Sequence, residues 1–189
     1  MYKVLDNFLN QREADEIENL LLSNNFAWWY QPSTVVPTGI ESEEYISWPG
    51  VRHNFMFNEQ ILSDALPIVM PLFNRFKDVE KNIKLISMKA NLNMPVISSR
   101  NVYNIPHVDQ MYLKDNFTGV YYVNDSDGDT IIFKEKYNGN DLRSYNLNID
   151  TKVSPRKNRF VFWDSRTYHA APICNTTPRV VLNINVEVI

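Results

Sequence analysis

The sequence predicts an α+β protein, mainly β, with N-terminal helices supporting a β-sandwich or barrel. Three observations carry that reading. Helical periodicity is confined to the first 80 of 189 residues, short β-branched and aromatic runs take over after residue 82, and the last run has one apolar and one polar face. With 44% hydrophobic residues the chain is long enough to bury one sizeable core, so residues 1–189 read as a single domain. Residues 1–80 serve as helical and loop support and 83–189 as the strand core.

The first helix is predicted over Gln11 to Ser23, where Ala14, Ile17, Leu20 and Leu21 share one face and Glu13, Asp15, Glu16 and Glu18 surround them. The acidic first turns match the helix dipole. A second helical pattern runs from about Asn58 to Val79, with Pro67 and Pro71 expected to interrupt or kink it. Between the two, residues 24–57 carry many aromatics among Pro, Ser and Glu. Loops packed onto the core and a substrate-facing flap both explain that stretch.

Strands are predicted over Ile83–Asn93, Thr118–Asn124, Thr130–Phe133, Arg159–Trp163 and Arg179–Val188. In the first of these Ile86, Met88, Ala90 and Leu92 fall on one side, with Ser87, Lys89, Asn91 and Asn93 on the other. Asn124-Asp-Ser-Asp-Gly128 is a turn signal, and the polar residues 134–150 read as an excursion from the core.

A net charge of −3 and a pI of about 5.6 disfavour nucleic acid or an anionic membrane as partner. The single cysteine, Cys174, excludes an internal disulfide and fits a reducing, cytoplasmic setting. No apolar run has signal-peptide or transmembrane length.

Two of the three histidines stand in chemically suggestive places: His107 in Pro-His-Val-Asp109, and His169 just after Phe160-Val-Phe-Trp163. Residues two apart in an extended segment point to the same side, so His107 and Asp109 can converge on one ion. Two imidazoles and a carboxylate leave three positions free, which suits iron(II) that must bind a cosubstrate and oxygen. His-x-Asp alone is a common pattern that a surface ion pair would also explain. Arg179 adds weight. It lies ten residues after His169 and heads the strand face Arg179, Val181, Asn183, Asn185 and Glu187, too polar for an ordinary core layer. Its guanidinium fork matches a carboxylate, although a surface ion pair at a strand end is the simpler use.

The ordered set His107-x-Asp109, His169, Arg179 resembles the iron(II)/2-oxoglutarate-dependent oxygenases, most closely their prolyl-4-hydroxylase-like branch. Gly119-Val-Tyr-Tyr-Val-Asn and the turn ending Gly128-Asp-Thr130 are similar to that branch's strand-turn segment. Val153 to Ser165 resembles its approach to the distal histidine. The resemblance spans roughly residues 85–188. It implies a double-stranded β-helix (jelly-roll, cupin-like) core with the helices packed on one sheet, and His107, Asp109 and His169 as metal ligands. It further implies that Arg179 fixes the distal carboxylate of 2-oxoglutarate, with Tyr122 and Thr130 adding hydroxyls. Asn91, on the polar face of its strand, is a candidate contact to cosubstrate or substrate.

The implied cofactors are Fe(II), 2-oxoglutarate and O2, with ascorbate as a candidate reductant. The implied reaction is a hydroxylation releasing succinate and CO2, first of a protein or peptide side chain, alternatively of a small metabolite or nucleobase. A non-oxygenase jelly-roll metal-binding protein and a zinc hydrolase are the rival readings. Two departures from the branch are visible: Asp129 replaces a glutamate, and Ile97 and Ser98 stand where a tyrosine is frequent.

Overall fold

The computed structural model describes residues 2–35, 45–96, 103–109, 115–140, 145–171 and 173–189. Ile97, Ser98 and parts of two predicted loop stretches (36–44 and 141–144) lie outside the described residues.

Helix α1 (Gln11–Leu21) begins at a capping box. The Asn10 side chain accepts from Glu13 N at 2.9 Å, and the Glu13 carboxylate accepts from Asn10 N at 3.3 Å. It ends two residues short of the predicted Ser23. There Ser23 turns its amide and hydroxyl back onto the Leu20 carbonyl. Helix α2 (Leu66–Val79) starts eight residues later than its periodicity predicts. The residues before it form a hairpin: Asn58 and Glu59 both take positive φ and join β3 (Gly50–Phe57) to β4 (Gln60–Ile61). Pro67 sits in the first turn, where no donor is needed. Pro71 lies inside the helix, which is held by the fully buried face Val69, Leu72 and Phe76.

Strands β1 (Tyr2–Leu5), β2 (Trp29–Gln31), β5 (Ile83–Asn93), β6 (Asn116–Tyr122), β9 (Arg159–Asp164) and β11 (Arg179–Val188) join β3 and β4 in one antiparallel sheet. Its order is β1-β9-β6-β11-β5-β3-β2, with β4 on β3. A second sheet has the order β10-β7-β8, from β10 (Thr167–Ala170), β7 (Thr130–Lys136) and β8 (Ile149–Val153). Two facing sheets give the mainly-β jelly roll that the sequence predicts. β3 corrects part of the aromatic-stretch reading, since its residues pair with β5 inside the large sheet. β8 corrects the excursion reading at its C-terminal end.

Alternation then assigns the faces. Val180, Leu182, Ile184 and Val186 of β11, with Met88 and Ala90 of β5, pack against Ile17, Leu21, Leu72 and Phe76 of the helices. The opposite face carries Val120, Tyr122, Val161 and Val181, which meet Ile132 and Val153 of the small sheet. One predicted detail fails: the β5–β11 register shifts at Asn185/Val186, so Leu85 takes the core position expected of Ile86. No helix among the described residues is long and apolar enough to cross a membrane.

Gly119 on β6 marks where the helix-side core is tightest. A Cβ there would lie 2.5 Å from Phe160 Cζ and 2.9 Å from Ile184 Cγ2. The Phe160 ring cannot yield, being packed against Phe8, Phe76 and Phe162. Gly119→Ala should therefore cost about 1–3 kcal/mol of stability through overpacking. Urea unfolding measures it, and a loss under about 0.5 kcal/mol, the usual surface range, would show that the core relaxes instead.

Candidate metal centre

Two backbone hydrogen bonds build the centre. His107 N donates to His169 O at 3.0 Å and His169 N donates to His107 O at 2.9 Å, so the two histidines are direct cross-strand partners. A pair exchanging both bonds presents its side chains on the same face, here with ring centroids 4.4 Å apart. Asp109, two residues beyond His107, comes to that face by strand alternation. Its Oδ1 lies 3.8 Å from His107 Nε2 and 4.0 Å from His169 Nε2, and one ligand atom from each residue lies within 4.8 Å of the others. These separations are too long for hydrogen bonds and suit three atoms arranged about a common ion.

The protons are arranged to match. His107 Nδ1 stands 3.1 Å from Ile105 O and His169 Nδ1 3.2 Å from Thr167 O. A carbonyl only accepts, so each Nδ1 carries the hydrogen and each Nε2 offers a lone pair to the centre. Asp109 Oδ2 is buried without a hydrogen-bond partner among the described residues. An orphaned carboxylate oxygen beside two inward lone pairs is a donor set that a divalent cation would satisfy.

Burial, reinforced by His169, pushes the His107 imidazolium down to about 3, although Asp109 pulls the other way. Burial lowers His169 as well. For Asp109 burial favours the neutral acid, but Lys89 and the two imidazoles outweigh it and hold the carboxyl at about 2.

A second buried charge shares the cavity. Arg179, 4% exposed, donates from Nε to Gly128 O (2.9 Å) and from Nη2 to Thr130 Oγ1 (2.8 Å), and lies over the Tyr122 ring. Gly128 permits this approach, since a Cβ there would come within 3.0 Å of Arg179 Cδ. No carboxylate among the described residues forms an ion pair with Arg179, and burial pushes its guanidinium downward. Tyr122 stands behind Thr130 rather than on the cavity wall. Its hydroxyl is engaged by Thr130 Oγ1 at 2.7 Å and Val153 O at 3.2 Å, next to the Arg179 guanidinium. Asn91 lines the cavity and donates to Asn183 Oδ1 at 2.7 Å.

The cavity, open to solvent, is lined by the triad, Thr130, Arg179, Asn91, Val120 and Val181, together with Lys89 and Arg52. Those last two cations carry no role in the sequence reading. Lys89 is visible there as part of the polar face of its strand. Arg52 has no such signal, because its stretch does not read as a strand.

Residues 96–187 match the model of the 2OG-Fe(II) oxygenase superfamily. This jelly roll belongs to that superfamily. Members use Fe(II), 2-oxoglutarate and O2, and the His107–Asp109–His169 geometry fits such an ion. The oxygenase fold is shared with the alpha-ketoglutarate-dependent epimerase SnoN from nogalamycin biosynthesis: TM-score 0.66 and 15% identity, over 98% of this chain and 76% of that one. It is shared with the viral collagen prolyl hydroxylase of Paramecium Bursaria Chlorella virus-1, with TM-score 0.55 and 16% identity over 100% and 96% of the two chains. A Trichoplax adhaerens prolyl hydroxylase in complex with a hypoxia inducible factor peptide gives 0.61 and 12%, over 99% and 83%. Identities this low speak for the fold alone. No curated protein matches the oxygenase sequence.

The depressed histidines fix a pH dependence for the metal-free oxygenase. The unfolded chain protonates His107 near its ordinary value of 6.5, the folded chain only near about 3. Between those values the unfolded state binds more protons, so stability falls as pH is lowered through that window, by at most about 1.4 kcal/mol per pH unit for one such group. Urea midpoints measured in chelator from pH 7 to 4 (on the order of the window given by linkage) should fall, and less steeply in His107→Asn. Equal slopes would mean that His107 titrates freely in the folded chain.

Proposed function

We propose that residues 1–189 act as one domain, an Fe(II)- and 2-oxoglutarate-dependent dioxygenase that oxidises a C–H bond of a separate substrate. In this reading His107, Asp109 and His169 hold the iron, and Arg179 with Thr130 holds the distal carboxylate of 2-oxoglutarate. The observation that carries it is Arg179: a buried guanidinium without a carboxylate partner among the described residues, on the wall of the same cavity as the triad. A permanently charged group left unpaired inside a protein is costly unless a ligand supplies the counter-ion.

Iron bound there would supply oxygen activation, coupled to conversion of 2-oxoglutarate to succinate and CO2 and ending in hydroxylation of the substrate. The chain supplies position and polarity. Thr130 accepts from Arg179 Nη2 and touches the Tyr122 hydroxyl, so both of its neighbours hold its rotamer. Val120 and Val181 give the cavity an apolar wall between the polar ends, which limits water there. The inward Nε2 lone pairs mean that neither histidine must shed a proton before it binds metal. No side-chain general base is required, and Cys174, buried against Asn93 O, takes no part. Its free thiol supports a reducing, cytoplasmic setting.

Anaerobic titration of iron(II) and 2-oxoglutarate tests the assignment through the visible metal-to-ligand charge-transfer band of such complexes. Wild type should form the band and His107→Ala should not; a band surviving in His107→Ala would remove the triad from the mechanism. Arg179→Ala should weaken 2-oxoglutarate by about 10- to 100-fold, the worth of a charged hydrogen-bonded pair, with iron affinity changed less than about threefold. Parallel loss of both ligands would make Arg179 structural.

A further inference from the structure

The cavity carries more positive charge than that chemistry uses. With iron(II) and 2-oxoglutarate in place, the ion's two charges and that of Arg179 are balanced by Asp109 and the two carboxylates of the cosubstrate. Lys89 and Arg52 line the same cavity and are left over.

Their placement follows from register. On β5 the interior face presents Lys89 opposite Asn183 of β11, and Asn91 two residues on, opposite Arg52 of β3. Lys89 and Arg52 are therefore diagonal neighbours, with Cβ atoms roughly 7 Å apart, a span that one carboxylate bridges with its two oxygens. Lys89 has no hydrogen-bond or ion-pair partner among the described residues. Among the described residues Arg52 donates to neutral acceptors, Asn91 Oδ1 at 3.2 Å and Thr34 O at 3.3 Å. Asn91 is itself tied to Asn183, so the guanidinium is held in place, with no carboxylate among the described residues in an ion pair with it. Asp109 is the one carboxylate on the described wall; it attracts both Lys89 and Arg52 across the cavity, and a bound metal would claim its charge.

We infer that this cavity takes a small carboxylic acid beside the cosubstrate, its carboxylate docked between Lys89 and Arg52, and that this acid is the molecule oxidised. The inference rests on the dioxygenase reading above. A small acid is favoured over a peptide because both cations sit on the interior face between the sheets, in a cavity that must also hold 2-oxoglutarate. A single carboxylate is favoured over a phosphate ester because two donors of Arg52 are already engaged, leaving a narrow fork.

The test uses protein loaded with iron(II) and 2-oxoglutarate and follows succinate. Four pools are compared: small amino, hydroxy and aromatic carboxylic acids; the matching primary amides; phosphate monoesters; and acidic peptides. The acid pool should stimulate turnover at least about tenfold more than the others, and Lys89→Met should reduce that stimulation by about tenfold or more. In the charge-transfer titration Lys89→Met should bind 2-oxoglutarate within about threefold of wild type, unlike Arg179→Ala. A readout independent of turnover is the melting temperature of the zinc- and 2-oxoglutarate-loaded protein. Removing an interior cation that has no ion-pair partner among the described residues should raise it by a few degrees, on the order of 1 kcal/mol.

Stimulation by amides, phosphate esters or acidic peptides that equals that of the acids overturns the inference. So does a lower melting temperature in Lys89→Met, or loss of 2-oxoglutarate binding as severe as in Arg179→Ala. If wild type binds neither iron nor 2-oxoglutarate, the dioxygenase reading itself falls. If it binds both and no acid stimulates, only the acid substrate falls.

Discussion

The exchange of two backbone hydrogen bonds between His107 and His169 is the contact on which the centre depends. It brings together residues far apart in the chain and puts both imidazoles on one face without any side-chain interaction. Asp109 follows from alternation, and the carbonyls of Ile105 and Thr167, each two residues before its histidine, set the tautomers. Because these restraints come from the backbone, the triad is arranged before any ion arrives, which lowers the ordering cost of binding.

A polar interior of this kind needs an apolar counterweight. The large sheet provides it by giving its other face to α1 and α2, where Phe55, Phe76, Phe160 and Leu182 are fully buried. Between the sheets the apolar contacts are fewer and stand beside Arg179, Asn183 and Asn185. Burial in that layer works against every charge in it, as the direction of the Lys89, Arg179 and His107 shifts shows. The polar layer lowers stability in the empty chain, and ligands of opposite charge would recover part of it.

The same layer separates two kinds of cation. Arg179 is held from behind by Gly128 O and Thr130, which fixes the direction of its fork. Lys89 has a flexible stem and no hydrogen-bond tether among the described residues, so it supplies charge with little direction. Arg52 falls between them, positioned through Asn91 and Thr34. That gradation suits a rigid cosubstrate site next to a more adaptable substrate site. The fold neighbours, which by their names include prolyl hydroxylases and an epimerase from nogalamycin biosynthesis, set no single substrate class by themselves.

Sequence alone determined the bounds of β5 and β11, because a period of two on a half-buried surface leaves little freedom, though not the register shift that puts Leu85 in the place of Ile86. It also determined the spacing of His107, Asp109, His169 and Arg179, since those residue types are few and chemically distinctive. It did not determine β3, whose cavity-facing Arg52 and core-facing Phe55 read as part of a loop until β5 supplies a partner. The start of α2 was hidden too, because the Asn58-Glu59 reversal interrupts an apolar pattern that otherwise continues. Tyr122 reads as a ligand-facing hydroxyl, and only the tertiary structure shows that hydroxyl engaged with Thr130 and Val153. Tertiary structure alone put Lys89 and Arg52 in one cavity with the triad, because cross-strand register is a property of paired strands and no single segment encodes it.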